Sequence, residues 1–389
     1  MKVPAAHPEV PRPALLHQVS LRLAESPVTV LLGARQTGKT TLARMVAREH
    51  PEVRFFDLEV AADRAALSTA PERILGGASG LVVLDEVQRM PSLLEVLRPL
   101  ADRPGSPARF LLLGSTSPEL VRGASETLAG RALFLPIPGF TLEEVAAQRQ
   151  DDLWLRGSFP RSFLAPGEEG SLRWRESFID TFLERDLPQL GIRTPAETLR
   201  RFWLMLSHFH GQVWNASELA RSLASTEKTA RHYLDLLAGT YMVRVLPAWH
   251  ENLGKRQVKS PKVYLRDSGL LHALLGICTR AQLESHPRYG ASWEGFALEQ
   301  TLARFGDRHS WFWATQRGAE LDLMVLHGGR RIGFEFKCSD APGMTRSLAI
   351  ARDDLQLDRV LVVYPGATRY TLDDRIEALP LAEMPGLEP

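Results

Sequence analysis

Between residues 33 and 41 the chain reads Gly33-Ala34-Arg35-Gln36-Thr37-Gly38-Lys39-Thr40-Thr41. This run fits the pattern G-x-x-x-x-G-K-[ST], in which glycines let backbone N–H groups face a polyphosphate at the N-terminus of a helix. The apolar run Val28–Leu32 predicts a buried strand before the loop, and apolar residues at helical spacing predict a helix that ends before Pro51. The stretch therefore predicts a P-loop that binds a nucleoside triphosphate.

The residues of this loop have separate expected roles. Lys39 is expected to reach the β- and γ-phosphates, and the Thr40 hydroxyl is expected to bind Mg²⁺. The chain contains no Asn-Lys-x-Asp run of the kind that recognises guanine, which favours ATP over GTP. The predicted nucleotide contacts in the loop are Gly33, Arg35, Gln36, Thr37, Gly38, Lys39, Thr40 and Thr41.

Strand-like runs that alternate with helical patterns predict an α/β fold with a parallel sheet. The expected strands are Val28–Leu32, Val53–Leu58, Leu81–Asp85, Phe110–Gly114 and Leu133–Ile137. The third strand ends in two acids, of which Asp85 would hold Mg²⁺ through water and Glu86 would polarise the attacking water. The alternative is a strand that ends in acids by chance.

Three more polar residues are candidates for the nucleotide site. Ser115 or Thr116, after the fourth strand, is expected to sense the γ-phosphate, and the sequence does not choose between them. Arg131 could act as an arginine finger on the nucleotide of a neighbouring subunit, which would require a homo-oligomer such as a hexamer. The alternative is that Arg131 is an ordinary surface arginine.

The composition is ordinary for a globular protein. The 389 residues are 44% hydrophobic and 24% charged, with a formal net charge of +1. No apolar run approaches the ~20 residues of a membrane span, and Cys278 and Cys338 lack metal-ligand spacing. We therefore expect two or three domains in a cytoplasmic protein with reduced thiols and no membrane partner.

Several motifs in order resemble those of a known family. They are GARQTGKTTL from Gly33, VVLDEVQRMP from Val82, LLLGST from Leu111, ETLAGR from Glu126, LRGSFP from Leu155, ERD from Glu184 and YLRDSGL from Tyr264. Together they resemble AAA-type ATPases of bacteria and archaea that carry a C-terminal domain of unknown function. This resemblance covers nearly the whole chain and implies a winged helix followed by a restriction-endonuclease-like core. The predicted domains are a P-loop ATPase core at 1–150, a helical lid or connector at 151–195, a winged helix at 196–275 and a PD-(D/E)XK nuclease-like domain at 276–389.

Residues 215–246 predict a helix-turn-helix with a wing. Asn215 begins a short helix and Thr226 begins a second, which the strand-like run 242–246 follows. Residues 244–266 hold six cations and one acid, a local excess that suits a phosphate backbone. The alternative is that the winged helix serves as a lid or docks a protein. The predicted DNA contacts are Lys228, Arg231, Lys255, Arg256, Lys259 and Lys262.

The runs 319–326 and 331–337 predict a hairpin. A two-residue turn at Gly328-Gly329 would place Asp322 opposite Glu335, and Glu320 opposite Lys337, on one face of the sheet. Directly opposed carboxylates repel each other unless a cation lies between them. The alternatives are that Asp322 and Glu335 share a proton or meet an arginine, and that Glu320 and Lys337 form a surface ion pair.

A predicted helix at 293–305 adds a third acid. Glu294 lies on its apolar face, where a carboxylate needs a compensating partner such as a metal ion. Glu299 points away and is expected to be solvated. A Mg²⁺ or Mn²⁺ ion held by Glu294, Asp322 and Glu335 would activate water, with Lys337 positioning it. This set resembles the PD-(D/E)XK nuclease constellation, although Leu321 stands where the family has proline. Such cores are also retained as binding modules without activity.

Two functions are compatible with these features. The favoured one is an ATPase that binds and remodels structured DNA, such as junctions, forks or ends, with a nuclease-like domain that cuts or grips it. The alternative is an ATP-controlled switch that binds a protein partner, with the C-terminal modules as a silent scaffold.

Overall fold

The computed structural model describes residues 9–105, 108–115, 118–251 and 257–388. The chain divides into two compact units, Met1–Gly139 with Gly239–Tyr241 and Phe140–Ala238 with Met242–Pro389. Within the described ranges, every helix is too short or too polar to cross a membrane.

The first unit is a parallel sheet with helices on both faces. Its elements are α1 (Pro13–Glu25), β1 (Val28–Gly33), α2 (Lys39–Arg48), β2 (Val53–Asp57), α3 (Ala61–Thr69), α4 (Pro71–Gly76), β3 (Gly80–Asp85), α5 (Leu93–Ala101), β4 (Ala108–Ser115), α6 (Pro118–Thr127) and β5 (Ala132–Pro136). All five strands pair in parallel in the order β2-β3-β4-β1-β5. The predicted α/β sheet is therefore confirmed, and β4 lies between the two strands that carry the nucleotide motifs.

Alternate residues of each central strand enter opposite cores of the first unit. Val30 of β1 and Leu112 of β4 belong to the core beneath α3–α6. Leu31 and Leu111 belong to the core beneath α1 and α2. Burial on both faces explains why these strands read as continuous apolar runs rather than as alternating ones.

The second unit begins with helices. They are α7 (Leu142–Val145), α8 (Gln150–Arg156), α9 (Pro160–Phe163), α10 (Gly167–Thr181) and α11 (Leu187–Gln189), with a π-helical turn at Phe182–Asp186. Pro160 is the first residue of α9 and Pro166 immediately precedes α10, as expected for a residue that lacks the backbone N–H.

Three helices and a small antiparallel sheet follow. They are α12 (Ala196–His208), β6 (Gln212–Val213), α13 (Ala216–Ser222), α14 (Glu227–Gly239), β7 (Val243–Leu246) and β8 (Lys262–Leu265), with strand order β6-β8-β7. The Asn215 side chain caps α13 by accepting from the Glu218 N–H, and Thr226 accepts from the Thr229 N–H at the start of α14. Both helix starts agree with the sequence signals.

The C-terminal part is a six-stranded mixed sheet with helices. Its elements are α15 (Ser268–Leu274), α16 (Arg280–Ser285), α17 (Tyr289–Phe305), β9 (Ser310–Ala314), β10 (Glu320–His327), β11 (Arg330–Phe336), α18 (Arg346–Asp354), β12 (Arg359–Tyr364), β13 (Tyr370–Asp373) and β14 (Ile376–Pro380). The strand order is β13-β14-β12-β11-β10-β9, in which β12 runs parallel to β11 and β14 parallel to β12.

The β10–β11 hairpin has the predicted two-residue turn. Gly328 and Gly329 both have positive φ, 56° and 79°, which suits a tight hairpin turn. The predicted register holds from the turn as far as Leu323 opposite Phe334. Beyond that pair the backbone ladder stops, so Asp322 and Glu335 are not a regular cross-strand pair.

Candidate functional site

The P-loop lies between β1 and α2, as predicted. Gly38, which precedes α2, has φ 91°, a conformation that glycine adopts without strain. Gly33 has no room for a side chain, because a Cβ there would collide with the carbonyl oxygen of Ile137. The loop therefore needs glycine at both ends, for backbone conformation at one and for a close approach at the other.

Lys39 is buried inside this loop. Its Nζ donates to the carbonyl oxygens of Gly33 at 2.9 Å and Ala34 at 2.7 Å. Burial lowers the pKa of Lys39 to about 8, and the nearby charges of Glu86 and Asp85 only partly oppose this effect. Two neutral carbonyls thus hold an ammonium group that an anionic phosphate would bind more strongly.

Thr40 and Asp85 meet at the edge of the sheet. The Thr40 hydroxyl donates to Asp85 Oδ2 at 2.7 Å, and the Glu86 N–H donates to Asp85 Oδ1 at 2.9 Å. Burial is the main reason that the pKa of Asp85 is raised. A hydroxyl and a carboxylate in contact are a suitable donor set for Mg²⁺, so these residues fit the ion that the P-loop implies.

Glu86 occupies a strained backbone position. Its φ of 56° and ψ of 43° lie in the left-handed region, which is costly for a residue with a side chain. The amide of Gln88 donates to the Glu86 carboxylate. Gln88 carried no signal of this role in the sequence, although it lies two residues beyond Glu86.

Among the described residues, the other predicted nucleotide contacts are loop residues and Ser115. Ser115 ends β4 directly beside Gly33 in the sheet register, and Thr116 lies outside the described residues, so the choice between them stays a prediction. Thr37 is buried, Arg35 is half-buried, and Gln36 and Thr41 are exposed.

Arg131 is engaged within its own unit. Its Nε donates to Asp102 Oδ1 at 2.6 Å and its Nη2 to Asp102 Oδ2 at 2.8 Å, while Nη1 donates to the Ala129 carbonyl oxygen. This bidentate ion pair is partly exposed. Its proposed action on a neighbouring nucleotide stays a prediction.

Arg12 supports the P-loop and had no distinguishing signal in the sequence. It is buried, and its guanidinium donates to the Thr37 carbonyl oxygen at 3.1 Å, the Pro138 carbonyl oxygen at 3.1 Å and the Gly139 carbonyl oxygen at 2.8 Å. These contacts join the loop to the segment after β5. Arg12 is thus a positioning residue for the loop.

A second cluster lies in the C-terminal part of the second unit. Glu294 of α17, Asp322 of β10 and Glu335 of β11 lie close together, because the charge of Asp322 raises the pKa of both glutamates, and Asp322 and Glu335 are only 7% and 6% exposed. Burial first, and then Asp322, raises the pKa of Glu294 to about 7 and that of Glu335 to about 8. The three predicted acids therefore do come together.

The cation in this cluster differs from the one that was expected. Lys262 was predicted to contact DNA, but it is 4% exposed and its Nζ lies 3.1 Å from Glu294 Oε1 and 3.4 Å from Asp322 Oδ1. It also contacts Glu320. A buried ammonium surrounded by carboxylates cannot reach a DNA backbone, so the prediction for Lys262 was wrong.

The cross-strand partners of the hairpin are also different. Lys337 Nζ lies 2.6 Å from Glu335 Oε1, so Lys337 pairs along its own strand rather than with Glu320. Asp322 Oδ2 accepts the Phe336 N–H at 2.9 Å. The carboxylate of Asp322 thus takes a hydrogen bond just where the backbone ladder ends.

Glu299 was expected to be solvated and is not. It accepts from Arg244 Nη2 at 2.9 Å and from Arg266 Nε at 3.4 Å. Arg244 additionally lies 3.4 Å from Asp307. These pairs remove two of the six cations from the predicted basic patch, because acids distant in sequence neutralise them.

Three of the remaining predicted DNA contacts are on the surface. Lys228, Arg231 and Lys259 are exposed, and Lys255 and Arg256 lie outside the described residues. On α14 the opposite face is buried through Ala230, Leu234 and Leu237. The helix therefore presents Lys228 and Arg231 outward while it is anchored by its apolar side.

Within the described part of the chain, no three histidine, cysteine or carboxylate side chains have an arrangement that could hold a metal ion. In the acidic cluster the oxygens of Glu294 and Asp322 face the ammonium of Lys262 instead. The Glu335 Oε2 atom is buried and has no hydrogen-bond partner among the described residues, as suits a carboxyl group that keeps its proton.

Family comparisons match the chain in three consecutive parts. A family described as an AAA domain matches residues 25–146, a domain of unknown function (DUF8612) matches 147–281, and another (DUF4143) matches 289–384. Uncharacterized proteins of Mycobacterium bovis and Mycobacterium tuberculosis are each 51% identical over 358 residues, covering 92% of this chain and 81% of theirs.

Similar solved structures include ATPases and motors. A Walker-type ATPase of Pyrococcus abyssi is 15% identical with a TM-score of 0.49, over 69% of this chain and 96% of that one. The RuvB Holliday junction branch migration motor of Thermotoga maritima is 18% identical with a TM-score of 0.30, over 61% of this chain and 90% of that one.

Proposed function

The chain belongs to the same family as the two mycobacterial proteins, as an AAA-type P-loop ATPase with a C-terminal domain of unknown function, and we propose that it couples ATP hydrolysis to the binding and remodelling of structured DNA. The proposed substrates are junctions, forks or ends. Both cysteines are free thiols, which supports the proposed cytoplasmic location.

The ATPase chemistry is assigned to residues of the first unit. Bound Mg²⁺ would neutralise phosphate charge, and Thr40 and Asp85 are the residues that would hold it. Lys39 would exchange its carbonyl partners for the β- and γ-phosphate oxygens. Glu86, fixed by Gln88, would accept a proton from the attacking water.

The DNA-binding part is carried by the surface of α14. The order of three helices and the β6-β8-β7 sheet supports a winged helix, in which α14 would be the recognition helix. Lys228 and Arg231 are exposed on it, next to the exposed His232. This arrangement suits contacts with phosphates rather than with base edges.

The role of the C-terminal core is proposed to be gripping DNA. Helix α17, the antiparallel strands β9–β11, helix α18 and the parallel strand β12 support a restriction-endonuclease-like assignment. The convergence of Glu294, Asp322 and Glu335 favours metal-dependent cleavage as a second candidate. The lysine among these acids weighs against it, so the favoured proposal is binding without cutting.

ATP turnover at low salt tests the proposal. Duplex, forked and four-way-junction DNA should each be compared with no DNA, and structured DNA should raise the turnover of the wild-type chain. Lys228→Glu combined with Arg231→Glu should abolish that stimulation and leave the basal rate intact. The matched control is Arg161→Glu with Arg173→Glu, which reverses two exposed charges elsewhere in the second unit.

If turnover ignores DNA under these conditions, the DNA-coupled proposal fails. The alternative is then an ATP-controlled switch that binds a protein partner, with a catalytically silent nuclease-like scaffold. In that case the charge reversals on α14 would change neither the basal rate nor its response to DNA.

A homo-oligomer such as a hexamer is the proposed active form, with Arg131 acting on the neighbouring nucleotide. Release from Asp102 would free its guanidinium for that contact. Lys39→Ala and Arg131→Ala should each be inactive alone and regain turnover when mixed, because a mixed assembly pairs an intact P-loop with an intact finger. Failure of the mixture to recover would exclude action in trans.

A further inference from the structure

Lys262 lies where three elements of the second unit meet. Its backbone begins β8 of the small antiparallel sheet, and its side chain reaches Glu294 on α17 and Asp322 on β10. The ammonium also contacts Glu320 at the start of β10 and lies 5.7 Å from the ring centre of Phe312. One cation therefore forms ion pairs with three acids from two different elements.

The ammonium of Lys262 lies beside the same oxygens that a divalent ion would bind. A metal shared by Glu294 and Asp322 would have to lie about 2.0–2.6 Å from oxygens of both, and the same oxygens are already 3.1 and 3.4 Å from Nζ. A metal that bound both oxygens on the side facing Lys262 would be in contact with the ammonium. Two cations at that distance repel strongly in a buried site.

The carboxylates around Lys262 also accept hydrogen bonds from other groups. Glu294 Oε1 accepts the Tyr264 hydroxyl at 2.7 Å, and Asp322 Oδ2 accepts the Phe336 N–H at 2.9 Å. Buried charges are retained when they are paired and hydrogen-bonded. Glu294 and Asp322 thus satisfy that condition without a metal, whereas Glu335 Oε2 is buried without a hydrogen-bond partner among the described residues. With the Lys262 ammonium beside them, the first two acids do not fit Mg²⁺ or Mn²⁺.

We propose that Lys262 is the resident cation of this cluster, replacing the divalent metal between Glu294 and Asp322, so that the C-terminal core keeps a nuclease-like set of acids and does not cleave phosphodiesters. Metal binding tests this proposal, whereas ATP turnover tests the proposed DNA-coupled ATPase, so one proposal can fail without the other. Lys262 is the first residue of β8, so a strand of the proposed wing supplies the cation for the acids of the C-terminal core.

Binding of Mn²⁺ to the full chain, measured by calorimetry and by the paramagnetic resonance of free Mn²⁺, tests this assignment. Every variant also carries Asp85→Asn, so that the nucleotide site contributes no metal. In this background the chain should bind Mn²⁺ no better than its Asp322→Asn derivative. Lys262→Met should gain a Mn²⁺ site, and Lys262→Met with Asp322→Asn should lose it again.

Lys259→Met is the matched control, because Lys259 is an exposed lysine three residues earlier in the chain. It should gain no metal site. A Mn²⁺ site that Asp322→Asn removes while Lys262 is present would overturn the proposal, and so would Mn²⁺-dependent DNA cleavage that the same substitution abolishes. If Lys262→Met does not fold, identical Mn²⁺ titrations of the chain with and without Asp322→Asn support the proposal, and a difference between them rejects it.

Discussion

Two buried lysines of this protein have opposite surroundings. Lys39 is 6% exposed and faces two neutral carbonyls, and burial lowers its pKa to about 8. Lys262 is 4% exposed and faces three carboxylates; burial lowers its pKa, but the surrounding acidic groups outweigh burial and raise it well above the ordinary value. Partners that an anion can replace make a binding residue, whereas fixed counter-charges make a structural one.

The strongest effect should be on the stability of the second unit. Lys262→Met leaves Glu294 and Asp322 buried without a counter-charge, which should lower the free energy of unfolding by about 3 kcal/mol. All eight tryptophans lie in this unit, so their fluorescence during denaturation reports on it alone. Lys259→Met, at an exposed site, should change the value little. Equal stability of the two variants would mean that the carboxylates do not depend on Lys262.

The next effect separates the two lysines by activity. Lys39→Met should lower the ATPase rate constant by about 10²–10³-fold, as for the loss of one donor to the transition state. The tryptophan-monitored unfolding should stay at its wild-type value, because Lys39 belongs to the other unit. A variant that keeps wild-type turnover would contradict the assignment of Lys39 to the phosphates.

The pH dependence of ATP affinity distinguishes the two lysines in another way. Because the pKa of Lys39 is lowered to about 8, the free protein loses this charge above that pH, and affinity should fall by about tenfold per pH unit there. Calorimetric titrations with ATP on both sides of that pH measure it. Lys39→Arg should give a flat profile, since arginine stays protonated. A flat wild-type profile would show that the ammonium keeps its proton.

The native protein also binds fewer protons at Lys39 than the unfolded chain between pH values of about 8 and 10.5. This lysine therefore makes the stability of the first unit rise with pH in that window. Helix signal in far-ultraviolet dichroism follows both units, and the tryptophan signal follows the second. The stability measured by dichroism should therefore rise with pH between about 8 and 10.5 relative to the stability measured by tryptophan fluorescence, because only the dichroism includes the first unit and Lys39.

A further effect concerns the titration of Glu335. Burial, and then the charge of Asp322, raises its pKa from 4.5 to about 8, so its contribution to stability is present below 4.5 and is lost as pH rises through about 8. Glu335→Gln should reduce the decline of the second unit's stability across that range. Denaturation midpoints by tryptophan fluorescence at several pH values test this. An unchanged slope would show that Glu335 is ionised in the native protein.

Much of the nucleotide site could be predicted from sequence because its parts are local. The loop 33–41, the strand before it and the acids at 85–86 are short contiguous signals, and parallel strands bring their carboxyl ends to one edge. The hairpin register was similarly local, since a two-residue turn with Gly328 and Gly329 fixes which residues face each other. Arg12 was missed because its carbonyl partners are 25 to 127 positions away.

The amino-acid sequence was enough to predict the P-loop, the parallel sheet and which acids of the C-terminal core would come together. Which cation meets those acids depended on the three-dimensional packing. A count of charges over 244–266 treats Lys262, Lys259 and Arg244 alike, but one is buried among carboxylates, one is exposed and one is paired with Glu299. The reason is that the energy of a charge depends on its burial and its neighbours in space, and those neighbours are here 32 to 60 residues distant along the chain.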